Sequence, residues 1–250
     1  MARYGLIGKN IAYSFSRRYF KTKFEKEQLV GASYVNFDSQ TLEEVKEYLC
    51  NDDINGYNVT IPYKEEIIPL LDQLDTDAHH IGAVNTVKRN NLGQLIGYNT
   101  DYIGFKQSLL EYTEGVFLDT SIAKKALILG TGGASKAVVY ALTQLGVHCQ
   151  YVSRNRYDNT MLYSDISKTI LSKHSIVVNC TPLGTSPNTD AFPDIPYEYL
   201  NESHILYDLI YNPVKTQFLT KGEKQGATII SGLRMLELQA EAAWEIWQES

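Results

Sequence analysis

The chain has 250 residues, 44% hydrophobic and 21% charged, enough apolar side chain for one large domain or two small ones without covalent staples. Its 23 Lys and Arg against 29 Asp and Glu leave a formal net charge of -6, which excludes the basic stripe expected of a polyanion-binding face. No apolar run nears the roughly 18 residues of a membrane span, and the opening Met1-Ala2-Arg3-Tyr4-Gly5 lacks a signal peptide's apolar core, so a cytoplasmic protein with no nucleic-acid or membrane partner is expected.

In chain order, residues 4–8 read as a short apolar strand, Ser16 as the cap of a helix over 17–29, and 33–37 as an alternating strand. Thr41 and Glu44 form a capping box for a helix ending near Leu49. Residues 56–61 give a third strand, Pro62 opens a helix through Leu74, and segments 83–89 and 94–99 form a β-hairpin around Asn90-Asn91-Leu92-Gly93. This half is an α/β unit with a mixed sheet. A second unit starts near Asp101, with a helix over 102–112 and a polar stretch through Lys125. A buried strand (126–129), a glycine loop (130–133) and a helix (134–145) closed by Gly146 follow. Further strands are expected at 147–152, 176–180, 205–209 and 228–230, with helical stretches between several of them. That alternation predicts a parallel, doubly wound sheet. The last segment, 233–247, places Leu236, Ala240, Ala243, Trp244 and Trp247 on one helical face that must pack on something.

Cys50, Cys149 and Cys180 are odd in number and far apart, which argues against a disulfide framework, and the five histidines lack metal-ligand spacing, so no metal is expected. The informative string is Gly130-Thr131-Gly132-Gly133-Ala134, between a buried strand and a helix. Glycines there permit a tight turn and let backbone N–H groups approach a pyrophosphate at the positive helix N-terminus. NAD sites usually place an acid after the next strand; here Ser153-Arg154-Asn155 stands there, and the planar guanidinium of Arg154 suits a 2′-phosphate. NADP is the expected cofactor. The first half carries Ser14, Ser16, Asn58, Thr60, Lys64 and Asn85, followed by Asp101, at predicted strand and loop ends. Such groups suit a neutral-to-anionic polyol.

Together these strings resemble the shikimate dehydrogenase family. Its S-x-S is Ser14-Phe15-Ser16, its NVT-x-P-x-K runs from Asn58 to Lys64, its AVNT ends at Thr86 and its GxNTD ends at Asp101. The glycine loop, Thr181-Pro182-Leu183-Gly184, Tyr211-Asn212-Pro213 and a closing Gly232-Leu233…Gln239 helix follow in order, so the resemblance spans essentially the whole chain. It implies a discontinuous substrate-binding and catalytic domain (1–101 with 233–250) and an inserted Rossmann-like NADP-binding domain (102–232), with a cleft between them. It also implies that Ser14 and Ser16 hold the substrate carboxylate, and that Thr60, Asn85, Tyr211 and Gln239 surround the substrate. Lys64 and Asp101 would form the catalytic pair, either of them the formal proton donor. Gly130, Thr131, Gly132, Gly133, Ala134, Ser153, Arg154, Thr181, Leu209 and Gly232 would hold the cofactor.

The implied reaction is reversible NADPH-dependent reduction of 3-dehydroshikimate to shikimate, a step of chorismate and aromatic amino-acid biosynthesis, by a monomer or homodimer. Two alternatives stand beside it: a quinate/shikimate dehydrogenase using NAD or NADP, and a catalytically silent sensor of a shikimate-like ligand. The chain departs from the family pattern in six places. Arg17 replaces a proline, Tyr63 a histidine, Tyr102 a glycine, Thr185 a methionine and Arg234 a glycine, and Ser153-Arg154-Asn155 stands for N-R-T.

Overall fold

The computed structural model describes residues 2–12, 14–113 and 124–249, and it divides into two compact units, Met1–Thr100 with Ala240–Ser250, and Asp101–Gln239. The expected polar stretch after Tyr112 lies largely outside the described residues.

In the first unit, the strands are β1 (Arg3–Gly8), β2 (Ser33–Asp38), β3 (Gly56–Val59), β4 (Gln73–Leu74), β5 (Thr86–Arg89) and β6 (Leu95–Tyr98). They form a mixed sheet in the order β2-β1-β3-β5-β6-β4. β1 pairs in parallel with β2 and β3, whereas β5 joins β3 and β6 antiparallel. The hairpin turns where expected: Asn90 Oδ1 accepts from the N–H groups of Leu92 and Gln94, and Gly93 takes φ 81°.

Alternation along β1 sends Ile7 to a core with Val45, Tyr57, Val59 and Val87, and sends Tyr4 and Leu6 to the opposite face with Phe20, Phe24 and Tyr34. That second face is closed by the end of the last helix of the chain, through Ala240, Ala243 and Trp247. Trp247 stacks on Tyr4 with ring centroids 4.6 Å apart, and its indole N–H donates to Val87 O at 3.0 Å. Gly56 lies beneath it: a Cβ there would fall 2.3 Å from Trp247 Nε1, so only glycine fits.

Local expectations fail here in three places. The first helix, α1 (Phe15–Lys26), is capped by Ser14, not Ser16, because Ser14 Oγ accepts from Arg17 N at 3.3 Å and Ser16 is already buried in the first turn. The capping box at α2 (Leu42–Leu49) is half formed: Thr41 Oγ1 accepts from Glu44 N, but Glu44 reaches Gln40 N at 2.6 Å. The single helix expected over 62–74 breaks into α3 (Tyr63–Glu66), a 3₁₀ turn at Ile68–Leu70 and β4. Pro69 explains the break, since it lacks an N–H and disfavours helical backbone at the residue before it. A short helix not foreseen, α4 (Thr76–Ile81), is capped by Asp75 and ended by Gly82 at φ 68°.

The second unit holds α5 (Asp101–Tyr112), β7 (Lys125–Leu129), α6 (Gly133–Gln144), β8 (His148–Ser153), β9 (Thr160–Leu162), α7 (Lys168–Leu171), β10 (Ile176–Asn179), β11 (Ile205–Asp208), α8 (Gln217–Lys224), β12 (Thr228–Ser231) and the start of α9 (Leu233–Gln248). Its six strands are all parallel in the order β12-β11-β10-β7-β8-β9, as doubly wound alternation requires; the edge strand β9 was not foreseen. β7 reads as continuous apolar sequence because both faces are covered. Ala126 and Ile128 pack toward α5 and α6, while Leu127 and Leu129 pack with Phe218 and Leu219 of α8.

Candidate functional site

The strand order reverses between β7 and β10, and loops leaving the carboxyl ends of strands at such a point open a crevice. Gly130, Thr131 and Gly132 form the turn out of β7, and Gly133 and Ala134 are the first residues of α6. Gly130 takes φ 104° and donates to Val152 O at 2.9 Å, and a Cβ on it would lie 3.1 Å from Thr181 Cγ2. Gly132, at the N-cap, brings no side-chain bond, and a Cβ on it would meet nothing within 4 Å. The open space and the uncapped first turn suit an anionic group against the positive end of the helix dipole. Ser135 does not compete, because its hydroxyl and N–H both turn back to Gly132 O.

One strand away, β8 ends at Ser153, and Arg154 stands exposed beyond it with no carboxylate in the Ser153-Arg154-Asn155 string. Arg154 borders a cavity of about 360 Å³ with Leu162, Tyr163, Ser164, Leu183, Phe192 and Asp194. On the other side of the switch point, Thr181 follows β10 and Leu209 follows β11. Gly232 packs backbone to backbone on this edge, since a Cβ there would fall 2.2 Å from Leu209 O. The second unit therefore brings the glycine loop, Thr181, Leu209 and Gly232 to adjoining strand ends, with Arg154 one strand farther out. Tyr211 lies in the segment after β11, half-buried; Gln239 is buried on α9 and donates to Leu236 O at 3.1 Å; Asp101 is buried at the first position of α5.

In the first unit, Thr60 leaves β3, its methyl filling the space over Gly8, where a Cβ would lie 2.4 Å from Thr60 Cγ2. Lys64 is half-buried in α3, and its carbonyl accepts from Val84 N at 2.7 Å, which ties the helix to the segment carrying Asn85. A buried polar network links several of the expected residues. Tyr34 Oη donates to Asn58 Oδ1 at 2.7 Å, and Asn58 Nδ2 donates to Thr86 Oγ1 at 3.2 Å and to Asn85 O at 3.4 Å. A carbonyl can only accept, so the amide orientation of Asn58 is fixed, and with it the direction of the Tyr34 proton. The Ser16 hydroxyl meets the Tyr34 oxygen on its other side, and burial pushes the Tyr34 phenol far above its ordinary range. Asn85 Oδ1 accepts from Thr100 N at 2.6 Å, and its Nδ2 donates to Thr100 Oγ1 at 3.0 Å. Ser16 and Asn85 are thus joined through Tyr34, Asn58 and Thr86. Ser14 stays apart as the cap of α1.

Sequence reading passes over Tyr34, Asn179 and Asp208, and gives Thr86 and Thr100, which lie within the AVNT and GxNTD motifs, no role of their own. Asp208 carries a usable signal: a carboxylate inside the otherwise apolar run Ile205-Leu206-Tyr207-Asp208-Leu209-Ile210. Three departures from the family pattern acquire partners. Tyr63 is buried and donates to Ser39 O at 2.8 Å; Tyr102 meets Tyr140 edge-on at 5.3 Å; Arg234 forms a two-pronged pair with Glu111 at 2.7 and 2.9 Å. Among the described residues no cluster of His, Cys, Asp and Glu could hold a metal ion.

Comparison with known proteins gives consistent results. The family described as "Shikimate dehydrogenase substrate binding domain" matches residues 6–87. The shikimate dehydrogenase (NADP(+)) of Caldicellulosiruptor bescii is 36% identical over 99% of this chain and 89% of its own length. That of Methanococcus maripaludis is 38% identical over 97% of this chain and 90% of its own. Among solved structures, a shikimate dehydrogenase in complex with NADP+ superposes with TM-score 0.85 at 34% identity, covering 99% of this chain and 90% of that one. The Thermus thermophilus shikimate 5-dehydrogenase in complex with NADP(H) and shikimate gives TM-score 0.86 at 29% identity, covering 99% and 94%.

Proposed function

This chain belongs to the shikimate dehydrogenase family, and from that premise we propose that it catalyses the reversible NADP-dependent interconversion of 3-dehydroshikimate and shikimate. The observation that carries the proposal is the set of strand ends in the second unit. An uncapped, glycine-led helix stands beside the switch point, Thr181 and Leu209 stand across it, and Arg154 follows the next strand where an NAD site would carry an acid. Those residues fit a dinucleotide with a 2′-phosphate: the first turn of α6 for the pyrophosphate and Arg154 for the extra charge, with Gly232 letting its backbone pack on Leu209 O at the same edge.

When bound, NADPH supplies the hydride. The chain's own residues then handle charge and position. Reduction of a ketone leaves oxygen with developing negative charge that a proton must meet as it forms. We assign this to Lys64 and Asp101: the ammonium offsets the charge and delivers the proton, and the carboxylate orients it, a contribution of about 10²–10⁴ in rate for a placed acid. Ser14 and Ser16 are assigned to the substrate carboxylate, and Thr60, Asn85, Tyr211 and Gln239 to its hydroxyls and ring. For Asn85 the support is structural, since Thr100 fixes which end of its amide faces where. Of these residues Ser14, Ser16, Thr60, Lys64 and Asn85 lie in the first unit, whereas Asp101, Tyr211 and Gln239 lie in the second with those assigned to the cofactor.

We further propose a monomer or homodimer in the cytoplasm, with no nucleic-acid or membrane partner. The net charge of -6 speaks against a polyanion partner, and no helix among the described residues is long and apolar enough to cross a membrane. The test is stoichiometric: shikimate consumed with NADP+ should give equal amounts of NADPH and 3-dehydroshikimate. Binding of both compounds without turnover would instead favour a sensor.

A further inference from the structure

Asp208 ends β11 with no exposed surface, and every donor found on its carboxylate among the described residues is neutral. Thr216 Oγ1 donates at 2.5 Å, Ile210 N at 3.1 Å and Asn179 Nδ2 at 3.1 Å. A buried carboxylate without a cation is costly, and such groups persist mainly where function uses them. Its three bonds reach two different segments. Asn179, the last residue of β10, spends its amide oxygen on Thr181, accepting from the backbone N at 3.0 Å and from the hydroxyl at 2.7 Å. Ile210 and Thr216 bracket the segment that carries Tyr211. The two segments also bond each other, Ser186 N donating to Asn212 O at 3.0 Å.

We propose that Asp208 is the positioning residue of the active site, holding Thr181 through Asn179 and the Tyr211 segment through Ile210 and Thr216. The inference rests on the reading above, in which Thr181 serves the cofactor and Tyr211 the substrate. A carboxylate suits the post because it accepts at both oxygens and offers no proton of its own, so all three donors are satisfied at once. An amide keeps one such oxygen, for Asn179 and Ile210, but puts N–H groups where Thr216 donated, so that hydroxyl must turn to accept and all three contacts lose the charged acceptor.

The test uses the full chain with steady-state kinetics and a melting curve for each variant. Asn179→Ala should raise the KM for NADP+ at least about 5-fold and leave that for shikimate within about 2-fold, whereas Thr216→Val should do the reverse. Asp208→Asn, nearly isosteric and neutral, should raise both constants without lowering the melting temperature. Thr181→Val and Tyr211→Phe are the controls. If these leave their respective constants unchanged, the assignment of those residues to cofactor and substrate fails, and this inference with it. If the controls respond but a folded Asp208→Asn keeps both constants within about 2-fold of the parent, the positioning role alone is overturned. Should Asp208→Asn not fold, the isosteric Thr216→Val decides, and an unchanged KM for shikimate refutes the proposal.

Discussion

Replacing Asp208 by asparagine should make the protein more stable at alkaline pH, with an advantage that fades on acidification. Burial pushes the Asp208 carboxyl up to about 6, and the bonds from Thr216, Ile210 and Asn179 only partly oppose it. The unfolded chain titrates near 3.9, so between about pH 4 and 6 the folded state holds a proton that the unfolded state has released. Stability therefore falls as pH rises through that window, and above it the native state carries the full penalty of the buried charge. A shift of about two units at roughly 1.4 kcal/mol each sets that penalty at about 3 kcal/mol. Asparagine removes it but turns the Thr216 hydroxyl from donor to acceptor and trades a charged oxygen for a neutral one, a loss of about 1 kcal/mol. The net gain at pH 8 is about 2 kcal/mol, or roughly 4–8 °C in melting temperature for a chain of this size. Thermal unfolding followed by circular dichroism at pH 8, 6 and 4.5 measures it. A variant less stable than the parent at pH 8, or a difference that does not change with pH, would mean that the native state carries no cost for the buried Asp208 charge.

Lys64→Ala should lower kcat by at least about 100-fold while changing the KM for shikimate much less, because the ammonium acts on charge that develops in the transition state. Initial rates across shikimate concentrations check this, and near-normal turnover would remove Lys64 from the chemistry. Arg154→Ala should raise the KM for NADP+ by about 10-fold or more and leave that for NAD nearly unchanged, since only the 2′-phosphate meets the guanidinium. Equal losses with both cofactors would contradict that placement. Gly56→Ala should lower stability by about 1–3 kcal/mol, because the added methyl overlaps the Trp247 indole. The melting temperature should drop, with activity per folded molecule preserved below it. Trp247→Ala should cost about 3–5 kcal/mol at the same contact, losing the ring and its bond to Val87 O.

Much of the architecture was legible because the two units present opposite sequence patterns. The apolar runs of β7, β10 and β11 announce strands covered on both faces, while the Asn90–Gly93 turn between alternating segments announces a hairpin. What failed was local. Ser14 and Ser16 are both competent caps, and only tertiary packing, which buries Ser16 beside Tyr34, decides between them. The helix expected over 62–74 had favourable composition, yet Pro69 outweighs it. β9 is three residues long at a sheet edge and leaves almost no periodic signal. Within the candidate site, motifs pointed to residues that would face a ligand, and these are polar groups at strand ends. The groups that hold them, Tyr34, Thr86, Thr100, Asn179 and Asp208, are buried, and the Tyr34–Asn58, Asn58–Thr86 and Asn179–Asp208 bonds join segments 24 to 29 positions apart. Spacing along a chain does not encode such pairings.

This chain should oxidise shikimate with NADP+ in preference to the other pairings of substrate and cofactor. The most direct measurement compares initial rates of nicotinamide reduction, followed at its absorbance band, for shikimate and quinate, each with NADP+ and NAD. Shikimate with NADP+ should be the fastest combination, by about 10-fold or more over the same substrate with NAD, given the Arg154 fork and the missing acid beyond β8. Equal or faster turnover of quinate with NAD would contradict the account, and so would binding of shikimate and NADP+ with no reduction at all.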